Sequence, residues 1–374
     1  MVAILAHAMV SSLGCDSADA CAAARAGLTR AALIDGMEVS AAADGNPEPV
    51  VVHAVPVLTK GFEGEARLQR MVDHALLEMK VLLSRSGTLR DRVGAYFAVP
   101  DPAREYQALD LITAEAERQE KSEIAGRLAM QPFDGSSAQR MLTRAADAAE
   151  WPGTIKLMRA SAAGQAAALA CMAAARQDLE EDRLDLAIVA AVDSLVSPAT
   201  LIWLHQCHRL KTTDMPIGLM PGEGCVMLAM ARGGEGVQGH VLDAALGQEP
   251  LSLWSGATSV GQGLGEVMSR VAQSAGWKDA EASAWVISDH NGEVYRANEW
   301  GHALVRLQGA WPAASDPTVW FPAISFGDTG SAAPLIGACM ALRAFERGHA
   351  PADRAMVLAS SEGEARAALV LAAP

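Results

Sequence analysis

Residues 159–172 read RASAAGQAAALACM, and this stretch decides how the chain is to be understood. It runs through small residues to Gly164, meets a single carboxamide at Gln165, and continues as an alanine-rich segment whose spacing predicts a helix from about Gln165 to Asp178. LAIVAAV (186–192) follows, short and continuously apolar, as a buried strand does. No thiolate stands where the helix starts. Cys171 lies six residues further along and well inside the helix, away from the terminus that would lower its pKa. Ser161 is followed by AAG and lacks the first glycine of a GxSxG elbow, so a serine hydrolase finds little support.

Working outward, apolar β-rich runs alternate with alanine-rich helical ones, the pattern of an α/β protein whose strands are covered on both faces. Leu68, Met71, Val72, Ala75, Leu76, Met79, Leu82 and Leu83 predict a helix over 66–86, and another is expected over 331–347. CVMLAMA (225–231), AWVIS (284–288) and AMVLAS (355–360) read as strands, and so does the apolar opening, which lacks the basic n-region of a signal peptide. The stretches 34–50 and 115–140 read as surface loops or caps. GQGLG (261–265) reads as a flexible connection rather than a phosphate loop, since no Lys-Ser follows it. A dip in composition at GGEGVQGH (233–240) suggests a boundary, giving an N-terminal half at 1–235 and a C-terminal half at 236–374.

The 374 residues are 51% hydrophobic and carry a formal charge of −14. That sign argues against a nucleic-acid partner and weakly against acidic carrier proteins. No apolar run reaches the roughly 18 residues of a membrane span, and a cytoplasmic location is expected. The six cysteines form no CxxC pair and read as reduced, buried thiols. His205, Cys207 and His208 lack a second cluster that would complete a zinc site, and no metal or other cofactor is called for.

Several blocks together resemble the thiolase superfamily, specifically the β-ketoacyl synthases, over nearly the whole chain. They are VAILAHAMVSSLGCDSADACAAARAGLTR at the start, DLAIVAAVDSLVSPATLIWLHQCHRLKT after the central helix, and PGEGCVMLAMARGG, in which Gly222, Glu223 and Gly224 match the family's turn. The resemblance implies a five-layered αβαβα fold of two similar halves. It also implies dimers built by pairing strands beside the nucleophile loop, which makes TIKLM (154–158) the expected interface strand.

Active members attack a thioester with a cysteine and use two histidines to stabilise the developing negative charge. The resemblance puts Gln165 at the cysteine. It puts Asp289, with His290 one step on, at the first histidine, where Asn291-Gly292 fits the family's turn. It puts Asp328 of FGDTG at the second histidine, Ala323 at a lysine, and Glu362 at the phenylalanine of the acyl gate. Losing one oxyanion donor commonly costs about 10²–10³ in rate, and carboxylates there repel the enolate as well. Asp289 and Asp328 also invite a carboxylate-pair reading, which lacks a third ligand or a placed base.

The expected function is therefore a ketosynthase-like pseudoenzyme, either the inactive partner of a condensing enzyme or a scaffold. Chain-length factors, which resemble ketosynthases, carry glutamine at this position. Partners implied are a second copy, a ketosynthase-like subunit, an acyl carrier protein or a protein cargo, the last by similarity to ketosynthase-like proteins associated with type VI secretion. The competing expectation is an acyltransferase, 3-oxoacyl-carrier synthase or decarboxylase acting on carrier- or CoA-linked thioesters through His290 or another nucleophile, with Cys171 and Cys225 as weak candidates.

Overall fold

Strand β1 (Val2–Ser11) shows what the apolar runs are for: Val2, Ile4 and Met9 enter one hydrophobic core while Ala3, Leu5, Ala8 and Val10 enter another. Alternate side chains of one strand point to opposite faces, so a strand that is apolar at every position must be covered twice. In the computed structural model, which describes residues 1–40, 47–104, 133–277, 284–311, 314 and 316–374, three layers of helices supply that cover.

The strands fall into two sets with one order. In the first, β5 (Ile155–Ser161), β4 (Val93–Ala98), β6 (Leu186–Ser194), β7 (Glu223–Ala231) and β1 lie side by side. In the second, β10 (Thr318–Trp320), β9 (Trp285–Ile287), β11 (Arg354–Ser360), β12 (Ala365–Ala372) and β8 (Gly239–Gln248) repeat the arrangement, third-second-fourth-fifth-first. In both, the fifth strand is antiparallel to its two neighbours and the fourth, second and third are parallel. Val2–Ile4 pair with Gly239–Val241, so the two sets join edge to edge in one ten-stranded sheet.

Helices α1 (Ser17–Arg25), α5 (Ala166–Glu180) and α10 (Ala333–Glu346) fill the middle layer, where the largest core gathers. The outer layers are α3 (Gly64–Arg85) with α4 (Gly135–Ala148) on the first set, and α7 (Gln262–Ser274) with α8 (Val294–Ala310) on the second. This is a five-layered αβαβα arrangement. Alanines suit the middle layer, because small side chains let its helices approach each other and the strands closely.

Three sequence expectations need correction. The described part of 34–50 is a hairpin of β2 (Ala32–Ser40) and β3 (Pro47–Val52), whose Val39, Val50 and Val52 pack under α6 (Pro198–Gln206). Of 115–140, residues 115–132 lie outside the described residues and 135–140 open α4, capped by Asp134. GQGLG is the start of α7, and its Gly263 lies where a Cβ would stand 2.2 Å from the Gln248 carbonyl oxygen. Among the described residues no helix is long and apolar enough to cross a membrane.

The Gly-Glu-Gly turn at the head of β7 is a structural hub. Glu223 is fully buried and ion-paired to Arg67, and it accepts hydrogen bonds from the Val55 amide, Thr59 and Ser194. Beside it the Gly222 amide donates to the Asp328 carbonyl at 2.8 Å and the Asp328 amide to the Met220 carbonyl at 2.8 Å. A Cβ on Gly222 would meet the Phe326 carbonyl oxygen at 2.4 Å. That close approach places the Asp328 loop.

Candidate active site

Gln165 sits between β5 and α5, where the chain turns sharply on Gly164 (φ +66°). The left-handed backbone there favours glycine, and a Cβ would be 3.0 Å from the side chain of Ser361. Ser361 Oγ fixes the turn from the other side, accepting from the Ala166 amide at 3.0 Å and donating to the Ala163 carbonyl at 2.5 Å. Gln165 is thereby held at the helix start, and it is buried.

Its carboxamide is used at both ends. Arg296 Nη2 donates to Gln165 Oε1 at 2.6 Å, and Gln165 Nε2 donates to Asp328 Oδ1 at 3.4 Å, a long and weak contact. Asn291 Nδ2 bonds the other Asp328 oxygen at 2.6 Å and reaches Glu293 at 2.9 Å. Arg296 Nη1 pairs with Asp289 Oδ2 at 3.1 Å and donates to the Ser360 carbonyl, and the Ser360 amide in turn donates to Asp289. Glu293 receives Arg209, which also pairs with Glu362 at 2.6 Å. Six elements thus converge on one continuous charged network of four carboxylates and two guanidiniums.

Sequence reasoning named Gln165, Asp289 and Asp328, and the fold brings all three together. It does not bring His290 with them. The His290 ring turns away to line a surface cavity of about 320 Å³ with Lys211, Met220 and Phe321, packed edge-on to Phe321. Its Nδ1 has no hydrogen-bond partner, and burial, with help from Arg296, lowers its pKa and keeps the ring neutral.

Arg296 was missed altogether, although it lies within the stretch SDHNGEVYR. One signal was present: two aspartates expected in one buried site require a compensating cation. Burial works to lower the Arg296 pKa, but Tyr295, Asp289, Asp328 and Glu293 together override that and raise it, so the group stays charged. Asn291, Glu293 and Arg209 were likewise given no site role by sequence.

Little room remains. The cavity beside Gln165, lined also by Asp193, Gly330 and Glu362, measures about 20 Å³, and the one on the Asn291 side of Asp328 about 10 Å³. Each holds about one water, whereas sites for organic ligands run to about 300–1,000 Å³. Cys171 and Cys225, the two candidates for a substitute nucleophile, are both buried away from the site's turn. Cys171 is fully buried with its thiol pushed up to about 12, and burial likewise raises Cys225. Cys207, expected to be buried, is exposed at the end of α6. Among the described residues no group of three or more His, Cys, Asp or Glu side chains could hold a metal.

No family model matches the chain, and no curated protein matches it by sequence. Solved structures do match, over its full length. A type II polyketide synthase ketosynthase in complex with its acyl-carrier protein and bound to the hexaketide, AntDE:AntF, superposes with a TM-score of 0.72 at 13% identity, over 100% of this chain and 99% of that one. The ishigamide ketosynthase/chain length factor gives 0.70 at 17%, over 100% and 99%. The ketosynthase from module 6 of the Bacillus subtilis 168 bacillaene synthase gives 0.71 at 14%, over 100% and 72%. The chain therefore has the thiolase-like fold of ketosynthases. Identities this low establish the architecture and leave the chemistry to be argued from the residues.

Proposed function

We propose that this protein is a ketosynthase-like pseudoenzyme that acts by binding another protein, as a non-catalytic partner subunit or a scaffold. One observation carries the reading: the centre of the fold, where the resemblance places the nucleophile and its two histidines, is filled by the Gln165–Arg296–Asp289–Asp328 network, with cavities of about 10 and 20 Å³ beside it. A thioester carbonyl approaching Gln165 would meet carboxylates at 289 and 328 where its developing oxyanion needs donors. A carboxamide forms no acyl-enzyme.

Of the two versions, a partner that helps hold a growing acyl chain requires a tunnel reaching the centre, and the small cavities beside Gln165 favour the scaffold. The scaffold version, with type VI secretion cargo among the partners the resemblance names, requires a homodimer. Strand β5 is the edge of the sheet in the described structure and supplies the surface for it. The two halves, meeting near residue 235, would each keep their own outer helices in such an assembly.

A second reading has its own observation. His290, whose pKa burial lowers, lines a cavity of about 320 Å³, and a neutral imidazole can serve as a general base, so decarboxylase or acyltransferase chemistry there is the alternative. One experiment separates the two. Intact mass after incubation with malonyl- and acyl-thioesters, with carbon dioxide release followed in parallel, should show neither adduct nor turnover. Turnover abolished by His290→Ala would install the second reading, and a stoichiometric adduct would overturn the first.

A further inference from the structure

Three guanidiniums line a cavity of about 830 Å³ between α1, α10 and the strand β10, away from the residues of the Gln165 network. Arg25 closes α1, and Arg343 and Arg347 close α10, so two helix C-termini bring three guanidiniums to one rim. Among the described residues Arg25 and Arg347 have neither an ion pair nor a side-chain hydrogen bond, while Arg343 pairs with Glu346. Among the described residues Asp19 is the one carboxylate that lines the cavity. In a chain of net charge −14 this clustering is against the general trend.

The remaining wall is aromatic. Trp320 is half-buried and stacks on the His349 ring, with centroids 6.3 Å apart and planes 17° from parallel, and Phe321 continues the surface. His349 Nδ1 has no hydrogen-bond partner, and burial, together with Arg25 and Arg343, lowers its pKa. The arginines and the imidazole therefore sense one another across the same space. Helix-dipole complementarity explains an arginine in each last turn. It does not explain why both termini meet beside a half-buried aromatic face with a cavity of ligand size between them.

We infer that this cavity binds a small organic anion, its phosphate or carboxylate group held by Arg25, Arg343 and Arg347 and its flat apolar body laid against Trp320 and Phe321. Guanidiniums match the planar, bidentate geometry of both anions, and indole faces take flat apolar groups. The inference does not depend on the pseudoenzyme reading, because no residue of the Gln165 network lines the cavity.

The test is calorimetric titration of the full chain with 1-naphthyl phosphate and 1-naphthoate, alongside 1-naphthol and inorganic phosphate as the separated parts. Saturable one-to-one binding of at least one whole anion is expected, with each separated part about tenfold weaker or more. Arg25→Gln and Arg347→Gln, both exposed and unpaired, should each weaken it by about tenfold, and added salt should weaken it further. Arg30→Gln, beside a different groove, should leave it unchanged. Absence of saturable binding by either anion, equal binding of neutral naphthol, or indifference to both arginine variants would overturn the inference.

Discussion

Replacing Arg296 by glutamine is the perturbation that tests the closed site most directly. The guanidinium is 3% exposed and its partner Asp289 6%. Glutamine keeps a helix-compatible side chain of similar reach but removes the charge, leaving the Asp289 carboxylate buried against one backbone amide and Gln165 Oε1 without its 2.6 Å donor. Breaking a buried pair from one side costs about 3–5 kcal/mol. At about 2.1 cal/mol/K per residue, unfolding 374 residues carries an entropy of roughly 0.8 kcal/mol/K, so the midpoint should fall by roughly 4–6 °C in a thermal scan. Adding Asp289→Asn removes the uncompensated charge and should recover about 1–3 kcal/mol, a non-additivity that a double-mutant cycle reads. A loss below about 1 °C for Arg296→Gln, or strict additivity of the pair, would refute the reasoning. Either would mean that water reaches these groups and that the network is not what fills the site.

Three further outcomes are expected. Gln165→Cys should gain no acyl adduct by intact mass with malonyl- or hexanoyl-CoA, because the new thiol would face Asp328 in a space of about 20 Å³; a stoichiometric mass increase would show that the fold still accepts a thioester. His7, buried against Ser17 and near Arg343, has its pKa lowered from 6.5 to about 4, chiefly by burial. Its unfolded form takes up a proton first as pH falls, so stability should be unaffected above pH 6.5 and decline from there to about 4, by up to roughly 3 kcal/mol; urea midpoints of wild type and His7→Gln that fall in parallel over that window would dismiss it. Light scattering should give twice the 39.1 kDa chain mass, and Leu157→Asp on β5 should yield monomer; a wild-type monomer, or a dimer indifferent to that change, would remove β5 as the interface.

The fold was legible because its strands are covered on both faces, which leaves unbroken apolar runs at 186–192, 225–231 and 355–360, and because the α3 stripe follows helical spacing. The hairpin at 32–52 was not. Among its described side chains Val39, Val50 and Val52 are the buried ones, too sparse a set to show a strand period in the sequence. The glycines of GQGLG looked like freedom and are the reverse: Gly261, at φ +61°, presses on the Glu299 carbonyl, and Gly263 on Gln248, partners the sequence holds well away from them. At the site, Gln165, Asp289 and Asp328 were legible as departures from a pattern. Arg296 was not, since an arginine in the first turn of a surface-like helix announces nothing until the fold carries it 131 residues back to Gln165.

The departures at this site are interdependent, and that bears on what the protein is for. Gln165 Oε1 is an acceptor for Arg296; a cysteine would leave that donor facing a smaller, weaker acceptor. A histidine at 289 would exchange the partner of Arg296 for a second potential cation, and one at 328 would drop the acceptor for Asn291 and for the Gly330 amide. Restoring any one position thus unsettles groups that the others satisfy, and each step towards a reactive centre costs stability before it returns chemistry. Reactive sites keep polar groups unpaired or strained because substrate completes them. Here Gln165 Oε1, Asp289 Oδ2 and both Asp328 carboxylate oxygens already have partners within the fold, while Arg296 Nε is buried without one. A centre completed by its own residues, with cavities of about 10 and 20 Å³ beside it, is the ground for the proposed binding role on the surfaces that the fold presents.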